Sequence, residues 1–124
     1  MSVMNTFSGK KFDPMHMNSE DVSLEDLAHA LSLLCRGGGH LQYFYSVGQH
    51  SINCMKEARA RGWSKRIQLV CLLHDASEAY IADIIRPVKV HLSEYYKIES
   101  KIMDCILEKF GLDDLSEEEN SRWK

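Results

Sequence analysis

The chain has 124 residues, is 44% hydrophobic and 27% charged, and carries a net charge of -3. That is room for one domain with a real core, and the mild acidity excludes any electrostatic reason to expect a nucleic-acid polymer or an anionic membrane as partner. No apolar run reaches the length of a membrane span, and the opening MSVMNTFSGKKFDP lacks the apolar stretch of a secretory signal, so a cytoplasmic location is expected.

Residues 1–22 show no sustained period and read as an irregular arm ahead of a helical domain over 23–124. VSLEDLAHALSLLCRGGG is a well-marked helix. Ser23 suits the N-cap, Asp26 stands three residues on as in a capping box, and Leu24, Leu27, Ala28, Leu31 and Leu34 form the stripe. Gly37-Gly38-Gly39 ends it. A second helix is predicted over about 46–61, with Val47, Ser51, Cys54, Met55 and Ala58 on one side and His50 near its start. A third opens at Ser64 and runs through KRIQLVCLLHDASEAY, apolar nearly all round as a central helix should be. Pro87 suits the first turn of a long fourth helix, in which Ile98, Ile102, Cys105, Ile106 and Phe110 keep helical spacing. Ser116 and Glu119 repeat the capping-box signature at a fifth helix, only about two turns from the last residue. So short a helix needs packing from Trp123, or else it is a longer helix cut short.

No segment alternates at period two, so the fold class expected is all-α, a bundle of about five helices with the last one short. The four cysteines, Cys35, Cys54, Cys71 and Cys105, form no CxxC pair and sit in apolar helical patterns. They read as buried free thiols.

The segment LLHDASEAYIAD, residues 72–83, turns abruptly acidic after an apolar run. On a continuous helix His74 and Glu78 share a face, with Asp75 about 100° round from His74. An imidazole beside a carboxylate suits Mn, Fe, Co, Ni or Zn better than Mg, which prefers oxygen donors. A further ligand has to come from another helix. His50 is the first candidate and His40, after the glycine run, the second. A buried histidine satisfied by a neighbouring carboxylate accounts for the same spacing, and Asp83 with Arg86 reads equally as a surface ion pair.

QHS at 49–51, LLHDASEAYIAD at 72–83 and RPVK at 86–89 together resemble the HD-domain metal-dependent phosphohydrolases. The nearest likeness is to their nucleotide-hydrolysing branch, the 5'-deoxynucleotidases and phage-type deoxynucleotide triphosphohydrolases. LEDLAHALSLLCRGGGHLQYFYSVGQHS resembles the entry to that branch, and the likeness runs from about residue 23 to about 110. The resemblance implies His50, His74 and Asp75 as ligands of one divalent metal, Glu78 as the acid acting on the attacking water, and Asp83 as a second catalytic acid. It implies Arg36 and Lys89 as positive charges for phosphate, with His40 grouped beside them. The implied partner is a nucleotide or other small phosphorylated substrate, and such proteins are often homodimers.

The family normally adds a fourth ligand, an Asp on a late helix. Asp104 falls inside the long helix and Asp113-Asp114 precede the cap at Ser116, so no counterpart is expected. A catalytically weak HD-fold protein that binds nucleotide or a protein partner is the alternative. A cyclic-nucleotide or alarmone substrate ranks below both.

Overall fold

In the computed structural model, which describes residues 2–123, the protein is all-α apart from one two-stranded hairpin. Helix α1 spans Leu24–Leu33, α2 Val47–Ala60, α3 Lys65–Leu73, α4 Glu78–Ile81, α5 Arg86–Lys89, α6 Ser93–Lys109 and α7 Glu117–Trp123. Ser23, Ser46 and Ser64 cap α1, α2 and α3, each hydroxyl accepting from a backbone N–H three residues on.

Each of the long third and fourth helices expected from the pattern is broken in two. After Leu73 the ladder gives way to tighter bonds, Ala76 N–H to Leu73 C=O at 2.9 Å and Glu78 N–H to Asp75 C=O at 3.0 Å. His74 to Ser77 therefore form a turn between α3 and α4. His91 and Leu92 make a second turn between α5 and α6. Neither break carries Gly or Pro, the residues that would have announced it.

The N-terminal segment is more ordered than its composition suggests. Met4–Asn5 pairs antiparallel with Lys11–Phe12. Phe12 is buried and meets the edge of Tyr80 at 5.8 Å between centroids, and Val22 enters the main core. Asp26 does not reciprocate the cap as expected. Its buried carboxylate accepts from the Ser8 backbone N–H at 2.7 Å and the Ser8 hydroxyl at 2.9 Å, tying the hairpin to α1.

The main core joins Leu27 and Leu31 of α1, Val70 and Leu73 of α3, and Ile102 and Ile106 of α6. A smaller cluster, Ala58, Ile67 and Cys71, lies between α2 and α3, the most extensively packed helix pair. Trp123 packs on both clusters, which is the first of the two alternatives open for α7. Its start is a full capping box, Glu119 N–H to Ser116 Oγ at 3.1 Å and Ser116 N–H to Glu119 Oε1 at 3.0 Å. Gly48 sets the approach of α1 to α2, because a Cβ there would lie 3.3 Å from the Leu31 carbonyl. That approach fixes the first turn of α2, which carries His50. None of the described helices is long and apolar enough to cross a membrane.

Candidate metal centre

Three of the residues singled out in the sequence meet around one atom. Asp75 Oδ2 lies 3.4 Å from His50 Nε2 and 3.1 Å from His74 Nε2, and the two imidazoles are 5.5 Å apart at 61°. His50 comes from the first turn of α2, while His74 and Asp75 open the turn after α3. The turn after Leu73 presents His74 and Asp75 together to His50 of α2.

His74 is held by its other nitrogen. Nδ1 donates to the Cys71 carbonyl at 2.7 Å, leaving Nε2 as the atom facing Asp75 and His50. Burial opposes a charge on His74, but the hydrogen bond and negative charge of Asp75 outweigh it and raise its pKa. The imidazolium form donates from both nitrogens. Burial and then the charge of Arg36 lower the pKa of His50, which favours the neutral form. Burial opposes ionisation of Asp75 too, yet His74 beside it holds its pKa below the usual value.

Two imidazoles and a carboxylate are donor types that suit a divalent transition metal. The separations of 3.1 and 3.4 Å are those of ion pairs from each imidazole to one Asp75 oxygen, and they leave the three residues side by side. His74 carries the backbone-carbonyl support usual for a ligating imidazole.

Glu78 is buried beside this cluster. Burial first, then the charges of Asp75 and Asp83 and a hydrogen bond to Asp75, push its pKa up to about 9. Asp83 is half-buried, and its charge acts on Glu78 and His50. It follows Ala82, which holds φ 62° and ψ 176°, a conformation close to glycine-only. The Tyr95 hydroxyl donates to the Ala82 carbonyl at 2.9 Å and holds the bend. Ala82→Gly is expected to stabilise the protein by about 1 kcal/mol, strain relief of about 1–3 kcal/mol less the entropy cost of glycine. Urea denaturation of the two proteins checks this.

The expected phosphate-binding residues divide. Lys89 faces the cluster and its charge acts on Glu78, but its Nζ is 3.0 Å from Glu99 Oε2 and 5.4 Å from the ring centroids of Tyr95 and Tyr96. Arg36 is fixed by its backbone N–H to the Tyr45 carbonyl at 2.9 Å, and its charge reaches both histidines. His40 is exposed on the glycine turn, and no contact among the described residues brings its ring to the cluster. Gly37 and Gly38 both take φ 64°, so the run serves the turn.

A cavity of about 550 Å³ opens beside the centre, with His74, Asp75, Lys89, Glu99, Asp104 and Trp123 in its wall. Asp104, set aside in the sequence because it falls inside the long helix, is exposed and lines the same cavity as Asp75. Sequence reasoning also missed Cys54 and Glu99. Cys54 lies four residues after His50 on α2, close enough that ligand atoms of His50, Cys54 and His74 fall within 4.8 Å of one another. The His-x-x-x-Cys spacing was the available signal. Burial, then the charge of Asp75, raise the Cys54 pKa, so its thiol is protonated where Asp75 is ionised.

No protein-family model matches the chain. It is 42% identical over 112 residues to the uncharacterized protein YfdR of Escherichia coli, covering 90% of this chain and 60% of that one. It is 34% identical over 111 residues to an uncharacterized protein of Rhodobacter capsulatus, covering 85% of this chain and 56% of that one. The chain thus spans less than two thirds of the length of either relative.

Proposed function

We propose that this chain carries an HD-type phosphohydrolase centre that cleaves a phosphate ester or anhydride of a nucleotide or deoxynucleotide. The observation that supports this best is the meeting of His50 Nε2 and His74 Nε2 at one oxygen of Asp75, next to a buried Glu78. A divalent ion bound there supplies a lowered water pKa and Lewis-acid polarisation of a phosphoryl oxygen. His50, His74 and Asp75 hold it, and the two imidazoles favour Mn, Fe, Co, Ni or Zn over Mg.

Glu78 is buried beside the cluster and keeps its proton near neutrality in the metal-free fold. A cation bound next to it would favour the ionised carboxylate, which would then take the proton from the attacking water. Asp83 serves at the leaving oxygen. Lys89 and Arg36 offset phosphate charge, Lys89 by exchanging Glu99 for substrate and Arg36 by the better fork geometry. The reading extends to a cytoplasmic protein that acts as a homodimer.

A second reading, a nucleotide- or protein-binding member of the same fold without turnover, draws support from the ion pair that already occupies Lys89. Phosphate release from a panel of deoxynucleoside mono- and triphosphates, with Mn, Co, Mg or EDTA, separates the two. Turnover with Mn that EDTA abolishes is the expected result. A folded, metal-loaded chain that releases no phosphate leaves the binding reading.

A further inference from the structure

His50 and His74 stand between two different donors. On one side is the Asp75 carboxylate. On the other, Cys54 Sγ lies 3.5 Å from His50 Nε2 and 3.8 Å from His50 Nδ1. Ligand atoms of His50, Cys54 and His74 all fall within 4.8 Å of one another. A sulfur at about 2.3 Å and a nitrogen at about 2.1 Å on one tetrahedral zinc stand about 3.6 Å apart. The observed 3.5 Å is within reach of that separation, but the sulfur is nearly equidistant from both ring nitrogens, so sharing one ion requires the His50 ring to turn about its Cβ.

The arrangement follows from the fold. Residues four apart on α2 present His50 and Cys54 to one side, and the packing of α3 on α2 carries His74 against them. Cys54 packs only at the border of the smaller core cluster, and it lines a recess of about 120 Å³ with His74 and Trp123. A thiol used for packing alone needs no pair of imidazole nitrogens around it.

We propose that Cys54, His50 and His74 form a soft-metal site that takes a thiophilic divalent ion such as zinc or cadmium. It overlaps the harder set of His50, His74 and Asp75. On binding, the Cys54 S–H bond breaks, the proton passes to solvent, and the sulfur electron pair goes to the ion with no change of oxidation state. Softness decides the preference, since thiolate selects zinc and cadmium while carboxylate suits manganese. Because both sets need the same histidines, a thiophilic ion excludes a harder one. The centre is therefore open to inhibition by soft metals. The site shares two residues with the hydrolytic reading and does not require turnover.

Cobalt(II) titrated into the metal-free full chain tests this by spectroscopy. The wild type is expected to show a near-ultraviolet thiolate-to-cobalt charge-transfer band saturating at one ion per chain. Cys54→Ser loses that band, while Cys71→Ser, a control for the neighbouring thiol, retains it. Cadmium affinity of Cys54→Ser falls by about 100-fold, the upper end of the loss from removing even an indirect metal partner, and manganese affinity is unchanged. In wild-type protein, cadmium shields Cys54 from alkylation by iodoacetamide, a readout that needs no variant to fold. A cobalt-loaded chain without the band, a band that survives Cys54→Ser, or alkylation of Cys54 at the same rate with cadmium bound each overturns the site. Phosphate release without the band removes this inference and leaves hydrolysis standing. The band without phosphate release does the reverse.

Discussion

Asp75→Asn is expected to reduce metal-dependent phosphate release to background and to weaken manganese binding by more than about 100-fold, the most that loss of an outer-shell partner costs. The substitution keeps the shape of the side chain and removes only its charge. Both imidazoles reach Asp75 through Nε2, at 3.4 and 3.1 Å, so its charge organises the set. The same change leaves His50, Cys54 and His74 untouched, so cobalt should still show a thiolate band in the variant. Isothermal titration with manganese, run beside the phosphate assay, checks the prediction. Manganese bound as tightly by Asp75→Asn as by the wild type would sink the His50–His74–Asp75 assignment.

The parts of this centre visible in the sequence were those whose chemistry is unusual for their surroundings. His74 and Asp75 stood out because they follow an apolar run, and His50 because it lies near the start of another helix. Cys54 was hidden because a cysteine four residues along an amphipathic helix reads as packing. It does pack, against the smaller core cluster, and only the tertiary approach of α3 gives it a second imidazole.

The breaks after Leu73 and at His91-Leu92 were hidden for a related reason. Hydrophobic period does not register a turn that keeps the apolar phase and uses no Gly or Pro. Helix caps at Ser23, Ser46, Ser64 and Ser116 are local chemistry. Those at Ser23, Ser64 and Ser116 were legible. The N-terminal hairpin was not, because its anchor is a bond from Ser8 to Asp26 across eighteen residues, and no periodicity encodes that.

Glu78→Gln separates a structural acid from a working one, because the two roles predict opposite signs. Glu78 has its pKa pushed up to about 9 by burial and by the charges of Asp75 and Asp83, against 4.5 when exposed. A carboxyl whose pKa is raised by folding binds its proton more tightly in the folded state. Between about pH 4.5 and about pH 9 the unfolded chain has released that proton and the folded chain has not, so stability falls as pH rises. Each pH unit in the window costs up to about 1.4 kcal/mol, and sharing of the proton with Asp75 reduces the sum.

Glutamine keeps a donor toward Asp75 and has nothing to titrate. The metal-free Glu78→Gln chain is therefore expected to be more stable than wild type by about 2 kcal/mol near pH 7, with the gain vanishing toward the pKa of the exposed acid. Urea denaturation in EDTA across that range measures it. Over the same pH range the variant should lose about 10²–10⁴-fold in metal-dependent phosphate release, the usual worth of a positioned general base. A residue kept for packing or for its hydrogen bond would lose stability on substitution or leave it flat with pH. Glu78 is expected to cost stability in the metal-free fold because it is buried within reach of the charges of Asp75 and Asp83.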